Sequence, residues 1–241
     1  MEADTKVIEA EEQNSSEILL KKSKTRALRA YNRLDDLSYK AVKRGFDIAC
    51  GLVGCAFLIP VAVGVKIATM ASGDFCPIFY KQRRVGKDGK EIKIYKFRSM
   101  CPDADAVLDQ LLKESPELAK EWQENQKLKN DPRITKIGNV LRKTSIDEIP
   151  QFFNVLKGDM SLIGPRPLVN GELDAHGGDH TRYEAMRPGI TGWWGCNGRN
   201  DTTYQERLNL EYYYVDNASV GLDMQCILKT IKAVVKKTGV Q

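Results

Sequence analysis

The most strongly patterned part of the chain is an apolar run at residues 48–65, IACGLVGCAFLIPVAVGV, with no charge over eighteen positions. This length is at the short end of what crosses a bilayer as a helix. Pro60 lies inside the run, where proline removes a helix hydrogen bond and bends the axis. Basic residues flank the run on both sides, and cationic flanks tend to stay cytoplasmic. The pattern predicts a helix that enters the membrane, bends at Pro60 and returns, with a buried core helix as the alternative.

Two further segments show the spacing of regular secondary structure. Residues 77–100 hold two runs rich in β-formers around Asp88-Gly89, which predicts a β-hairpin. Residues 103–128 repeat apolar positions at helical spacing, with a Ser-Pro interruption near the middle. We expect packed helices there.

The C-terminal region has the pattern of a basic amphipathic helix. Its apolar positions recur at spacings of three and four, with lysines between them: Met224, Ile227, Leu228, Ile231, Val234 and Val235. Such a helix either lies in the headgroup region of an anionic bilayer or packs on the domain core. The predicted fold is mixed α/β and helix-rich, with a small hairpin, a re-entrant membrane helix broken by proline, and amphipathic interfacial helices.

Composition divides the chain into three predicted regions. Residues 1–38 are rich in charge and poor in aromatics, which predicts a mobile or partly helical arm. This arm lacks the basic start and apolar run of a signal peptide. We expect the re-entrant membrane segment at residues 39–75 and a cytoplasmic catalytic domain with membrane-surface helices at residues 76–241.

Charge and cysteine usage narrow the function classes. The net charge of +5 fits an anionic membrane, a phosphorylated substrate or nucleic acid. Nucleic acid is the least supported of these, because the cations are not interleaved with stacking aromatics in a recognition motif. The six cysteines are scattered and only two histidines are present, which favours reduced thiols over a zinc site or a disulfide framework.

The main candidate catalytic residues are an acidic pair that lies among cations. Residues 142–167 read RKTSIDEIPQFFNVLKGDMSLIGPRP and place Asp147 and Glu148 between two groups of basic residues. A local explanation is a capping box formed by Ser145 and Glu148. That explanation is incomplete, because Pro150 would fall past the first turn of such a helix. Residues 187–200, RPGITGWWGCNGRN, form a Gly-rich aromatic segment that predicts a binding loop or a tight turn.

Three blocks in order after the proline-broken run resemble one family. They are KFRSM at 96–100, the acidic pair followed by KGDMSLIGPRP, and RPGITGWWGCNGRN. Together they are similar to the bacterial sugar transferase family, the monotopic phosphoglycosyl transferases, over about residues 39–241. The stretch WQENQKLKNDPRIT resembles members that transfer galactose phosphate or glucose phosphate. Two departures are Ile59 before Pro60, where many members carry Ser, and Gly195-Cys196, where relatives often carry Gln-Val.

The resemblance implies a reaction, a location and partners. The enzyme would move a sugar 1-phosphate from a UDP-sugar to undecaprenyl phosphate, release UMP and begin cell-surface polysaccharide synthesis. It would act at the cytoplasmic face of the bacterial plasma membrane, with Mg²⁺ as cofactor and with no nucleic acid partner. A homodimer is compatible with this assignment.

The resemblance also implies roles for individual residues. Asp147 maps to the nucleophile and Glu148 to its partner, and both are the expected ligands of the metal. The predicted contacts to substrate phosphates are made by four cations: Arg142, Arg166, Lys96 and Arg98. Arginine suits this task because its planar fork binds two phosphate oxygens at once. Two alternatives stay open: a glycosyltransferase that releases UDP, and a non-catalytic basic membrane-binding module.

Overall fold

The computed structural model describes residues 37–125, 128–198 and 202–236. The predicted arm at residues 1–38 therefore lies almost wholly outside the described residues. The described elements, in chain order, are α1 Leu37–Ala71, β1 Phe79–Val85, β2 Glu91–Phe97, α2 Ala104–Glu114, α3 Pro116–Asn125, α4 Lys136–Lys143, a 3-10 turn Ile146–Glu148, α5 Gln151–Lys157, β3 Ser161–Ile163, α6 Glu172–Ala175, α7 His180–Tyr183, β4 Gly189–Thr191, α8 Trp193–Asn197, α9 Tyr204–Asn217 and α10 Val220–Lys236. The helix-rich mixed α/β fold with a small hairpin is confirmed.

Helix α1 is 35 residues long and runs through Pro60. By length and composition, α1 is long and apolar enough to cross a membrane. One of its faces packs on the rest of the domain, where the small residues Gly51 and Gly54 let α5 approach closely. The opposite face stays open to solvent and is strongly apolar, with exposed side chains that include Val42, Phe46, Leu52, Val53, Phe57, Ile59, Val63 and Ile67.

Three polar side chains on the N-terminal half of α1 tie it to the domain. Lys43 forms an ion pair of 2.9 Å with Asp223 of α10. Arg44 donates hydrogen bonds of 2.7 Å to two carbonyls at the end of α5. Asp47 accepts hydrogen bonds from β3. Two of the basic residues that flank the apolar run are therefore engaged by protein groups.

The predicted hairpin is confirmed as the antiparallel pair β1 and β2. Its turn uses the left-handed backbone of Asp88 and Gly89, with φ values of 57° and 70°. Opposite residues Arg84 and Ile92 share one face of the pair with Lys96, because every second residue points the same way. Ile92 is buried on this face.

The predicted helical region is also confirmed. It forms α2 and α3, and the break between them lies at Ser115. Helix α4 follows, capped by the Thr135 side chain. Gly138 in its first turn is needed because a Cβ there would lie 1.8 Å from the Ser99 carbonyl oxygen. This contact sets α4 against the end of the hairpin.

The second sheet is a parallel pair of short strands, β3 and β4. Its neighbourhood forms a core with α1, α9 and α10 in which Tyr214, Val215 and Cys226 are almost fully buried. The C-terminal amphipathic helix is confirmed as α10, and four of its apolar residues remain exposed: Val220, Met224, Leu228 and Ile231.

Two local predictions were wrong. Ser145 and Glu148 form no capping box, since the Ser145 side chain makes no cap hydrogen bond. The 3-10 turn ends before Pro150, which precedes the first residue of α5 and so breaks no helix. The aromatic segment at residues 187–198 is not a simple loop, because it contains β4 and α8.

Candidate active site

The acidic pair lies on the short 3-10 turn between α4 and α5. Ser145 opens the turn with a φ of 55°, a left-handed conformation that residues other than glycine rarely adopt. Ile146 and Ile149 pack into an apolar cluster with Val65 of α1. The intervening Asp147 and Glu148 line a cavity. Burial of the two isoleucines thus presents the acids to the open side.

This cavity, called the first cavity here, has a volume of about 890 Å³. Besides the acidic pair it is lined by cations from the hairpin, from the segment that follows the hairpin, from the segment before α4 and from α4 itself: Arg84, Lys96, Arg98, Arg133 and Arg142. A concave site with acids facing several cations is suited to an anionic ligand.

The two acids have different surroundings. Glu148 accepts a hydrogen bond from Lys96, with 3.0 Å between Oε1 and Nζ. Burial raises the pKa of the Asp147 carboxyl, and the charge of Glu148 raises it further. Lys96 and Arg142 act in the opposite direction. A carboxylate with a raised pKa is a stronger nucleophile than an ordinary exposed one.

The predicted cations are placed unequally. Arg142 donates from Nε to Ser99 Oγ at 2.8 Å, which orients its guanidinium beside the acids. Arg98 also lines the first cavity, but it binds Asp74 at 2.7 Å and two backbone carbonyls. Its guanidinium therefore stabilises the end of the hairpin.

Arg166 does not line the first cavity. It lines a second cavity of about 380 Å³, together with Trp194 and Glu211. The two cavities adjoin each other, since four residues line both: Arg84, Lys96, Ser145 and Glu148. The structure thus brings Asp147, Glu148, Lys96 and Arg142 together and sets Arg166 in an adjoining space. Pro60 lies in α1 and lines neither cavity.

The backbone of Arg166 is held on both sides. Its N–H donates to Glu211 Oε1 at 3.1 Å, and its carbonyl accepts from the Tyr183 hydroxyl at 3.0 Å. The Arg166 guanidinium lies over the Trp194 ring, 5.7 Å from its centroid. These contacts fix the backbone from which the exposed Arg166 side chain extends over the Trp194 ring.

Two residues of the site were not predicted from the sequence. Arg84 could have been found, because in a hairpin centred on Asp88-Gly89 it shares a face with Lys96. Glu211 has no comparable signal, since it is one acid within a helix of mixed composition. It is 1% exposed, and burial raises its pKa to about 7.

Comparisons with known proteins identify the family of this chain. The profile of the bacterial sugar transferase family matches residues 38–237, so the chain belongs to that family. A UDP-galactose-lipid carrier transferase of Erwinia amylovora is 43% identical over 212 residues, which cover 88% of this chain and 44% of that protein. An undecaprenyl-phosphate galactose phosphotransferase of Salmonella typhimurium is 42% identical over the same shares. The chain spans less than half the length of these two relatives.

A relative of similar length is also known. The exopolysaccharide production protein ExoY of Sinorhizobium fredii is 40% identical over 197 residues, which cover 82% of this chain and 87% of that protein. The family resemblance predicted from the sequence blocks is confirmed. The relatives are named as transferases of sugars to a lipid carrier or as exopolysaccharide proteins.

Proposed function

We propose that this protein is a phosphoglycosyl transferase that moves a sugar 1-phosphate from a UDP-sugar to undecaprenyl phosphate. The donor is UDP-galactose, in keeping with the names of the two relatives, or UDP-glucose, in keeping with the resemblance of the stretch WQENQKLKNDPRIT to members that transfer galactose phosphate or glucose phosphate. The product would begin a cell-surface polysaccharide. The observation that supports this most directly is Asp147, a partly buried acid with a raised pKa in a cavity lined by cations.

In the first step the Asp147 carboxylate attacks the phosphorus that bears the sugar. A carboxylate–phosphorus bond forms, and the bond from that phosphorus to the bridging oxygen breaks. UMP leaves with the electron pair, and the sugar phosphate remains on Asp147 as an acyl phosphate. In the second step an oxygen of the lipid phosphate attacks the same phosphorus and releases the carboxylate. One difficult transfer is divided into two easier ones.

Both substrates and the nucleophile are anions, so the site must offset their repulsion. Arg142 and Lys96 lie beside the acidic pair and supply positive charge where charge builds up on the phosphoryl oxygens. Arg166, whose side chain lines the second cavity, can bind a phosphate oxygen of either substrate. Arg98 contributes to the potential, and its own hydrogen bonds go to the protein.

Mg²⁺ fits this donor set. The described residues contain no cluster of three or more ligating side chains. Mg²⁺, however, commonly uses one or two carboxylates and completes its shell with water and substrate phosphates. Asp147 and Glu148 would hold it, and it would neutralise charge on the diphosphate. Glu148 can turn from Lys96 toward the ion, since that contact is partly exposed.

The apolar face of α1 supports membrane attachment. Large hydrophobic side chains follow this face along the helix, and exposed apolar residues of α10 add to it. An exposed apolar surface of this extent is typical of a membrane-binding face. In our proposal the apolar face of α1 enters the cytoplasmic leaflet of the plasma membrane and the helix axis bends at Pro60, which keeps the acidic pair near the lipid headgroups.

The test uses purified protein in nanodiscs with undecaprenyl phosphate, Mg²⁺ and a panel of UDP-sugars, and it resolves UMP from UDP. We expect lipid-dependent UMP release with one or two sugars and none from Asp147→Asn. Covalent labelling of Asp147 with the phosphosugar, seen by intact-protein mass spectrometry without the lipid, would support the intermediate. Release of UDP would point to an ordinary glycosyltransferase. Absence of any nucleotide release, with membrane binding intact, would favour a non-catalytic module.

A further inference from the structure

The second cavity contains two buried polar atoms whose partners are missing. Among the described residues, four buried side-chain atoms make no hydrogen bond: Arg84 Nε, Glu211 Oε2 and two nitrogens of Arg207, which lines neither cavity. The side chains of Arg84 and Glu211 line the second cavity. A buried polar group without a partner is costly, so such groups usually mark a place where something else binds. Glu211 Oε2 accepts and Arg84 Nε donates, which matches a ligand that carries hydroxyl groups.

The arrangement of the two cavities matches the two ends of a nucleotide sugar. They share Arg84, Lys96, Ser145 and Glu148, so cations lie where the spaces adjoin. A diphosphate at that junction would direct its nucleoside into one cavity and its hexose into the other. The first cavity is about 890 Å³ and the second about 380 Å³. The larger group, the nucleoside, suits the first cavity and the hexose the second.

We propose that the second cavity binds the hexose of the donor, and that Glu211 Oε2 accepts a hydrogen bond from one sugar hydroxyl while Arg84 Nε donates to a different oxygen of the hexose. This inference rests on the proposed function and assigns the residues that distinguish one sugar from another. Glu211 is well suited, because its other oxygen is held by the Arg166 N–H at 3.1 Å. The free oxygen is therefore fixed in direction. A fixed buried acceptor discriminates strongly against a sugar that lacks the matching hydroxyl.

The experiment combines one substitution with a set of modified donors. The donor that gives UMP with the wild type is compared with analogues that each lack one hydroxyl, and kcat/KM is measured for wild type and Glu211→Gln. Glutamine keeps the volume and an acceptor for the Arg166 N–H, but it places an amide N–H₂ in the cavity. Glu114→Gln is the matched control, since Glu114 is an exposed acid that lines none of the cavities.

We expect one deoxy donor to lose about tenfold or more with the wild type and with Glu114→Gln, because the buried acceptor is then left without a partner. With Glu211→Gln the loss for this deoxy donor should become smaller, because the carboxylate acceptor is replaced by an amide N–H₂ that can bind the hydroxyl only as a donor. Losses at the other hydroxyls should be unchanged. Arg84→Lys, which removes the Nε–H and keeps the charge, gives a second measurement if Glu211→Gln does not fold.

Three outcomes would overturn the inference. If every deoxy donor loses as much kcat/KM with Glu211→Gln and with Arg84→Lys as with the wild type, water alone satisfies Glu211 Oε2 and Arg84 Nε. A donor with 3-methyluridine in place of uridine is the second check. If Glu211→Gln changes the loss of kcat/KM for this donor and leaves the losses for the deoxy sugars as in the wild type, the base lies in the second cavity. A wild type that releases no UMP from any UDP-sugar would remove the proposed function, and this inference with it. The first two outcomes leave the proposed function intact, so the two failures are distinguishable.

Discussion

Two aspartates a hundred positions apart show how differently this fold treats a buried acid. Asp47 of α1 is 2% exposed and accepts hydrogen bonds from Ser161 Oγ at 3.0 Å and from the Leu162 N–H at 2.8 Å. Asp147 is partly buried, and its pKa is raised by burial and by its acidic neighbour. The first acid is satisfied and joins α1 to β3. The second is held in a less favourable state, which is typical of a reactive group.

Glu211 belongs with Asp147 in this comparison. One of its oxygens is bonded to the Arg166 N–H and the other has no partner among the described residues. Asp47 joins two elements of the domain, while Asp147 and Glu211 line the cavities. The four predictions that follow test this division, from the largest expected effect to the smallest.

The largest effect is expected at Asp147. Asp147→Asn should lower kcat for UMP release by about 10³-fold or more, because the nucleophile is lost. Its melting temperature should equal or exceed that of the wild type, since a carboxylate that burial disfavours is replaced by a neutral amide. Activity assays and thermal melts in the same detergent check both points. A variant that keeps a tenth of the activity would exclude the nucleophile role.

The opposite result is expected at Asp47. Asp47→Ala leaves a buried hydroxyl and a backbone N–H without their acceptor, at a cost of about 3 kcal/mol. For a domain of this size the melting temperature should fall by roughly 6–12 °C. Asp47→Asn, which keeps one acceptor oxygen, is the milder control. Unchanged melting of the alanine variant would show that Asp47 does not hold α1 to the domain.

The contact between α1 and α5 gives a third test. A Cβ at Gly54 would lie 2.2 Å from the Phe152 ring, whereas a Cβ at Gly64 of the same helix meets nothing within 4 Å. Gly54→Ala should therefore destabilise the protein by about 1–3 kcal/mol and reduce activity, because α5 begins just after the acidic pair. Gly64→Ala is the matched control and should melt at or slightly above the wild-type temperature, because alanine favours a helix where it has room. Equal behaviour of the two variants would contradict the packing described.

The smallest effect concerns pH. The pKa of Glu211 is about 7 in the folded protein against an ordinary 4.5, so its protonated form favours folding. Arg166, Arg207 and Tyr183 are the charged or titratable groups that face it. This contribution is complete below pH 4.5 and is lost as the pH rises through 7.

Glu211→Gln should remove the loss of folding stability that occurs as the pH rises through 7. Denaturation of wild type and variant across this pH range should show the variant gaining relative stability toward neutral pH. Parallel stability curves for the two proteins would mean that Glu211 is ionised throughout. Glu114→Gln serves again as the control, and its curve should follow that of the wild type.

The elements set by local pattern were predictable. The hairpin followed from β-formers around Asp88-Gly89, and the break between α2 and α3 followed from the Ser-Pro pair. The acidic pair was identified by its motif. The failed capping box shows the limit of such patterns, because burial of Ile146 and Ile149 against α1 sets the backbone of that turn.

Long-range placement was not predictable in the same way. The apolar run indicated a membrane helix but did not reveal that one face of it packs on the domain through Gly51 and Gly54. The cavity role of Glu211 depends on Arg166, which lies 45 positions away in the chain. The position of a single acid within a helix carries no information about such a distant partner.

The tie between α1 and the domain bears on how this protein can be produced. Arg44 satisfies the last carbonyls of α5, and Asp47 satisfies donors of β3. Deleting α1 to obtain a water-soluble fragment would leave those groups unpaired and would remove the surface against which Phe152 rests. Expression trials should therefore keep α1 and solubilise its outer face, with amphipols, nanodiscs or polar substitutions confined to exposed positions such as Phe57 and Val63.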